Sequence, residues 1–233
     1  ATCFANDIIS SFNGGMKTAA LFLDIKKAFD CVNYRILEKI LTYSRITGKP
    51  LKLLLNYFEN RKQAVVLENE SSDLLNVTAG CAQGSILGPT IFLIYINDLL
   101  NLNLNGRLRL FADDGSITYS AYDFQSLYKQ MKHDIEVISS FLADINLQLS
   151  EKKTKFILFN VKPSEVAFSS ITANGLTIDK VDSYVYLGVP FQQNLSWNLH
   201  VKAITKSISP FISVLSKIRY FVSKQILTSL YYA

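Results

Sequence analysis

Three acidic side chains stand out for the chemistry they could perform together. Asp24 closes the apolar run Ala19-Ala20-Leu21-Phe22-Leu23, and Asp113-Asp114 sit at the tip of an apolar hairpin pattern. Taken singly, each has a plain reading. An Asp after a strand often caps the next helix, here Ile25 to Val32, and Asp114-Gly115 is a common two-residue turn. The turn does not account for the second carboxylate before it. Two carboxylates ~4 Å apart repel by about 4 kcal/mol at an effective dielectric of 20. With Asp24 delivered to the same edge, the cluster would raise one pKa or hold a divalent cation. Oxygen-only donors favour Mg²⁺ or Mn²⁺ over zinc, and two such ions at strand ends suit in-line phosphoryl or nucleotidyl transfer.

A second block is Gly80-Cys81-Ala82-Gln83-Gly84-Ser85-Ile86-Leu87-Gly88-Pro89. Its three glycines before a helix could let backbone approach a ligand, and Gln83 offers both donor and acceptor. It lacks the Gly-Lys-Ser/Thr of a phosphate-cradling P-loop.

The elements around these residues follow from periodicity. Phe4–Phe12 reads as a helix stopped by Gly14-Gly15, and Ala19–Leu23 as a strand buried on both faces. Tyr34–Ile46 is an amphipathic helix ended by Gly48-Lys49-Pro50, and Leu51–Asn60 predicts another. Gln63–Leu67 and Leu74–Val77 read as strands around a polar turn. Gly88-Pro89 opens an apolar helix through Leu100. Leu108–Phe111 and Ile117–Tyr119 flank the acidic turn, and Phe124–Phe141 is the clearest long helix. Phe156–Phe159, a hairpin around Asn174-Gly175, and Tyr184–Leu187 complete the strands. Val201, Ile204, Ile208, Phe211, Leu215 and Ile218 mark one helical stripe in the tail. The order suggests an α/β layer with an antiparallel pair at its centre.

Composition removes several alternatives. Over 233 residues, 49% hydrophobic and 18% charged residues exclude bulk disorder. The longest apolar stretch, Ile86 to Ile96, is interrupted by Gly88-Pro89 and far below the ~20 residues of a membrane span, so no membrane partner is expected. Three scattered cysteines argue against a disulfide scaffold or cysteine zinc site, and two histidines fit no His-based triad. Ala1 and the abrupt end at Tyr232-Ala233 read as a piece of a longer protein. The formal charge of +5 lies wholly after Asp182: 24 basic and 19 acidic side chains leave Lys202, Lys206, Lys217, Arg219 and Lys224 unbalanced. Cations interleaved there with Tyr184, Phe191, Trp197, Phe211 and Tyr220 suit a phosphate backbone and stacked bases; a lysine-dotted solvated helix is the plain alternative.

Read together, the blocks resemble the reverse transcriptase domain of non-LTR (LINE-type) retrotransposons, from about Ala19 to His200. Leu23-Asp24-Ile25-Lys26-Lys27-Ala28-Phe29-Asp30 is similar to that family's first palm motif. Ala82 to Pro89, with Ile96-Asn97-Asp98-Leu99 after it, resembles the second. Phe111-Ala112-Asp113-Asp114 resembles the third, and Leu149 to Lys155 the fourth. Tyr186-Leu187-Gly188-Val189 is similar to the segment that grips the primer, and Trp197 to His200 to the start of the thumb.

The resemblance implies an α+β polymerase palm: a split β-α-β unit and an antiparallel sheet with helices on one face. Partial fingers and palm would occupy residues 1–190, and the start of a helical thumb residues 191–233. It implies RNA-directed DNA polymerase activity, with Asp24, Asp113 and Asp114 ligating two Mg²⁺ ions (Mn²⁺ as the alternative) and the Ile25 carbonyl facing the metal-bound triphosphate. Phe29 would exclude a 2′-hydroxyl, and Gln83 and Gly84 would touch nucleotide and template. Lys153 would protonate the pyrophosphate leaving group, with Lys152 and Lys155 as competitors. Tyr186, Leu187, Gly188, Lys202, Lys206, Lys217 and Arg219 would contact nucleic acid. Expected partners are an RNA template, a DNA primer, deoxynucleoside triphosphates and the rest of the retrotransposon polyprotein. The expected location is intracellular, in nucleus and cytoplasm. The usual Pro, Tyr and Asn of the motifs are Ala82, Phe111 and Ser150 here, and Gly115 follows the acidic pair. The other readings are an inactive retroelement-derived fragment that only binds nucleic acid, and a nucleotide-sugar transferase using strand-end aspartates.

Overall fold

The computed structural model describes residues 2–59, 61–68, 70–82, 84–159 and 168–232. Gln83 and Asn60 therefore lie outside the described residues. The first helix, α1 (Thr2–Asn13), leads into β1 (Lys17–Leu23), whose apolar run is buried from both sides as its composition demands. A 3-10 turn at Ala28–Cys31 follows, then α2 (Tyr34–Tyr43), capped by the Asn33 side chain, and α3 (Gly48–Phe58). The latter starts earlier than expected because Pro50 is compatible with a first helical turn.

The pair of strands expected over 63–77 is more broken than its sequence suggests. Lys62–Gln63 (β2) pairs with Leu75–Asn76 (β5), and Val66–Leu67 (β3) with Glu70–Ser71 (β4), in separate two-residue ladders. Val65, Val66, Leu67, Leu74 and Leu75 stay exposed, so no packed face extends the pairing. Next, α4 (Leu87–Ile96) ends before Leu100, and the chain tightens into a 3-10 turn over Asn97–Asn101.

The remaining elements build the sheet. They are β6 (Arg107–Phe111), β7 (Asp114–Ala121), α5 (Phe124–Asp144), β8 (Lys155–Phe159), β9 (Ser170–Ala173) and β10 (Leu176–Lys180). The six strands lie in the order β6-β7-β1-β8-β10-β9, antiparallel throughout except for β8 against β10. Asn174-Gly175 is the β9–β10 turn, as the sequence indicates. A second hairpin joins β11 (Ser183–Tyr186) to β12 (Val189–Gln192). The chain ends in α6 (Asn198–Ile218) and α7 (Lys224–Tyr232), with no described residue of either buried.

Strand alternation divides the interior in two. Ala19, Leu21 and Leu23 face a large core completed by α2, α4 and the Leu127, Met131, Ile135, Ile138 and Leu142 stripe of α5. Each fully buried side chain of this kind contributes about 1.5–3 kcal/mol. Ala20 and Phe22 face a smaller core closed by Phe4 and Ile8 of α1 and by Tyr186 and Phe191 of the β11–β12 hairpin. The expected helical layer is present on the first face; the second is capped by one helix and a hairpin. No helix among the described residues is long and apolar enough to cross a membrane.

Candidate active site

Register brings the acidic residues together. In the β1–β7 pair, Leu23 lies opposite Gly115. One step further, Asp24 follows Leu23 and Asp114 precedes Gly115, so both carboxylates emerge at the same sheet end and on the same face. The tight connection between β6 and β7 is Ala112-Asp113, with Phe111 paired to Asp114 across it. This corrects the Asp114-Gly115 turn reading: both of those residues already belong to β7. Ala112 supplies the positive φ, 54°, that so short a connection needs. Gly115 has a packing role instead, since a Cβ there would stand 3.1 Å from the Leu23 Cβ.

The segment before β8 holds Asp24 from the other side. The Ser150 N–H donates to the Asp24 carbonyl at 2.8 Å, and the Asp24 N–H donates to the Thr154 hydroxyl at 3.3 Å. Lys153 Nζ lies 3.4 Å from Asp24 Oδ2, whereas Lys155 is paired with Asp179 at 2.7 Å. Burial raises the Asp114 carboxyl above the usual carboxylate range, and the Asp113 and Asp24 charges raise it further against the opposing Lys153 ammonium.

A cavity of about 730 Å³ opens on this edge, with Asp24, Ile25, Phe29, Gly84, Asp113 and Lys153 in its walls. The Phe29 ring is held against Phe92 at a centroid distance of 4.6 Å. Most of the glycine-rich block lines this cavity, but its first glycine is a joint: Gly80 presses on the Asp30 backbone, where a Cβ would be 2.8 Å from the carbonyl oxygen. Cys81 N–H donates to the Phe29 carbonyl at 2.8 Å, tying this block to the cavity wall. Of its three glycines, Gly84 has open space around it and lines the cavity.

The donor set fits a hard divalent cation in kind, being carboxylates crowded enough to perturb one another. Among the described residues no three acidic, histidine or cysteine side chains are already gathered as a metal cage, and the Asp24 carboxylate is turned to Lys153.

The other expected contacts are spread more widely. Tyr186 is buried, its ring 5.3 Å from that of Phe4, so it anchors the hairpin while Leu187 and Gly188 form the tip. Lys202, Lys206 and Lys217 lie exposed along α6, and the Arg219 guanidinium stands 4.5 Å over the Tyr220 ring. None of these tail cations lines the carboxylate cavity.

Two supporting residues have roles that the sequence does not show: Thr154, inside the fourth motif, and Asp134. Thr154 is fully buried beside the Asp24 backbone. Asp134, also fully buried, accepts from the Asn105 N–H at 3.0 Å, the Asn105 side chain at 2.8 Å and the Gly106 N–H at 2.9 Å, fixing the start of β6. Its signal was a carboxylate inside the apolar stripe, three residues after Met131.

The family model described as "Reverse transcriptase (RNA-dependent DNA polymerase)" matches residues 6–191. The chain is 27% identical over 204 residues to the "Probable RNA-directed DNA polymerase from transposon X-element" of Drosophila melanogaster, covering 84% of this chain and 22% of that protein. It is 24% identical over 196 residues to the "RNA-directed DNA polymerase from mobile element jockey" of Drosophila funebris, covering 80% and 21% respectively. It thus spans about a fifth of the length of these curated relatives. Among solved structures, telomerase from Candida tropicalis in complex with a TWJ fragment of telomeric RNA superposes with a TM-score of 0.54 at 15% identity. That match covers 77% of this chain and 32% of the telomerase chain, and it bears on the fold. With the family match running through the whole sheet and its acidic edge, the chain belongs to the reverse transcriptase (RNA-dependent DNA polymerase) family.

Proposed function

We propose that the chain is the palm of an RNA-directed DNA polymerase, adding deoxynucleotides to a primer 3′-hydroxyl on an RNA template. Residues 1–190 would form partial fingers and palm, and 191–233 the start of the thumb. The observation that carries the reading is the β1–β7 register, which sets Asp24 beside Asp114 at the mouth of the cavity that Asp113 and Lys153 line. Asp24, Asp113 and Asp114, with the Ile25 carbonyl, would hold two Mg²⁺ ions or Mn²⁺ in their place. When bound, such ions supply charge neutralisation at the α-phosphate and ease loss of the primer hydroxyl's proton.

The chain's own side chains have separable tasks. The primer 3′-oxygen forms a bond to the α-phosphorus as the bond to the bridging oxygen of pyrophosphate breaks. Lys153 can deliver a proton to that departing oxygen from Nζ, which already stands beside Asp24 at 3.4 Å. The Phe29 ring, braced by Phe92, fills the wall where a 2′-hydroxyl would need room. Gly84 leaves backbone open to the nucleotide, with Gln83 as its neighbour in that contact. The Leu187-Gly188 tip would meet the primer, with Tyr186 anchoring it, and Lys202, Lys206, Lys217 and Arg219 would track the backbone phosphates. The surrounding polyprotein and a nuclear or cytoplasmic setting complete this reading.

Primer extension on an RNA template tests it. Asp24→Asn and Asp113→Asn should each abolish Mg²⁺-dependent extension while the far-UV circular dichroism stays native. Persistence of full synthesis in either variant overturns the assignment. Phe29→Ala should admit ribonucleotides, and unchanged sugar discrimination would reduce Phe29 to a packing residue.

A further inference from the structure

Phe22 lies next to the last residue of β1 and Asp24 just past its end, two residues and about 7 Å further along the chain. The Tyr184 ring lies flat on Phe22, with centroids 4.2 Å apart and planes 10° from parallel. This is the most parallel aromatic pair of the second core; the neighbouring Phe4–Tyr186 and Phe22–Tyr186 contacts are tilted by 51° and 46°. Burial raises the Tyr184 phenol, and the Asp24 and Asp114 charges raise it further.

The same residue belongs to the hairpin ladder. Tyr184 pairs with Phe191 across β11–β12, and two residues later Tyr186 pairs with Val189. Leu187 and Gly188, with φ of 49° and 76°, make the connection between them. A two-residue turn of that kind has little freedom to move relative to its strands. A Cβ on Gly188 would meet nothing within 4 Å, so the tip is open to a ligand. Tyr186 and Phe191 seat the hairpin in the second core, and the Tyr184 stack is its flattest contact with Phe22, two residues before Asp24.

We propose that Tyr184 is a positioning residue for the primer strand, its stack on Phe22 fixing the Leu187-Gly188 tip relative to Asp24 and Asp114. The inference rests on the polymerase reading above. The nucleotide cavity draws none of its walls from residues 183–192. A shift of the hairpin should therefore disturb the primer and leave nucleotide binding alone. A merely structural Tyr184 would act differently, lowering the folded fraction and kcat with both KM values unchanged.

Steady-state extension on a recessed-end RNA–DNA primer–template separates the two. Tyr184→Leu keeps an apolar side chain but loses the stack. It should raise the KM for primer–template about tenfold and lower kcat, with the KM for deoxynucleoside triphosphate unchanged. Tyr184→Phe keeps the ring and should stay within about twofold of wild type. Phe22→Leu approaches the same stack from β1, should reproduce the KM split, and serves if Tyr184→Leu is unfolded at the assay temperature. If the variants lose kcat alone, or if Tyr184→Phe is as damaging as Tyr184→Leu, the inference is wrong. Wild-type extension with an unaltered Leu variant overturns it while leaving the polymerase reading intact. Absence of extension by the wild-type chain overturns both.

Discussion

The hydroxyl of Thr154 accepts from the Asp24 N–H at 3.3 Å and points back to the Asp24 carbonyl oxygen at 3.5 Å, across 130 residues of sequence. One buried side chain thereby spans both peptide groups of a proposed catalytic residue. The Ser150 N–H completes the clamp on the same carbonyl. Asp24 lies just past the end of β1, where the ladder no longer holds it, so the clamp sets its direction.

Replacing that hydroxyl should therefore cost activity as well as stability. Thr154→Val preserves shape but leaves the Asp24 N–H without its partner, at a cost of about 1–3 kcal/mol in urea unfolding. Primer extension should fall about tenfold or more, because a small misplacement of a reacting group is expensive. Thr154→Ser should restore both. Equal activity of the Val and Ser variants would show that the clamp is not needed.

Crowding of the carboxylates predicts a stability effect of opposite sign. Burial, Asp113 and Asp24 raise the Asp114 carboxyl in the folded chain. Its contribution to stability is then fully present below the ordinary carboxylate pKa and is lost as pH rises through the raised folded value. At neutral pH the charged form destabilises the fold, so Asp114→Asn should melt at a higher temperature than wild type. The advantage should vanish in acid, and thermal melts from about pH 3 to about pH 8 follow it. A neutral-pH melting temperature unchanged or lowered by the substitution contradicts the repulsion.

Much of this edge was legible before any coordinates. The Ala19–Leu23 run has the pattern of a strand covered on both faces, and the Phe124–Phe141 stripe marks the helix beneath it, as the structure has them. The acidic pair was visible as chemistry but its turn was misplaced, because Asp-Gly is locally the better turn and the tertiary ladder overrides it at Gly115. Gly80 looked like a ligand-facing glycine and instead meets Asp30, a contact no local pattern encodes. The exposed ribbon around Val66 was over-extended because apolar alternation does not reveal whether anything packs on it. The contacts of Thr154, inside the fourth motif, and of Asp134 are hidden for a common reason: their partners lie 130 and 29 residues away.

Asp134 gives the sharpest test of how the acidic turn is held up from below. Its three accepted hydrogen bonds all go to Asn105 and Gly106, at the entry to β6, the strand that delivers Asp113. A Cβ on Gly106 would collide with Ile117 and Tyr119, so the backbone there is pressed against β7. Asp134→Asn keeps one acceptor oxygen, for Asn105, and turns an amide NH₂ toward the Gly106 N–H. The expected loss is about 3 kcal/mol in chemical denaturation, since two charged hydrogen bonds become neutral and the Gly106 N–H goes unpaired. A loss below about 1 kcal/mol would mean that water or a shifted loop replaces the carboxylate.

Lys27 separates strain from stability within the site itself. It stands at φ 45° and ψ 45°, between the Asp24 clamp and the 3-10 turn that carries Phe29. A left-handed conformation costs an ordinary L-residue roughly 1–2 kcal/mol relative to one free of a Cβ clash. Here it is enforced from both ends: Lys26 N–H donates to the Gln148 carbonyl at 2.8 Å, and the Lys27 carbonyl accepts from Asp30 and Cys31 at 2.9 and 3.1 Å. Lys27→Gly should therefore raise stability by up to about 1 kcal/mol, less than the full strain because glycine also gains entropy when unfolded. Lys27→Ala, which keeps the strain and removes the ammonium, should show no such gain. If Gly and Ala variants melt together, the left-handed turn is not a stored cost and the loop is free to adopt it.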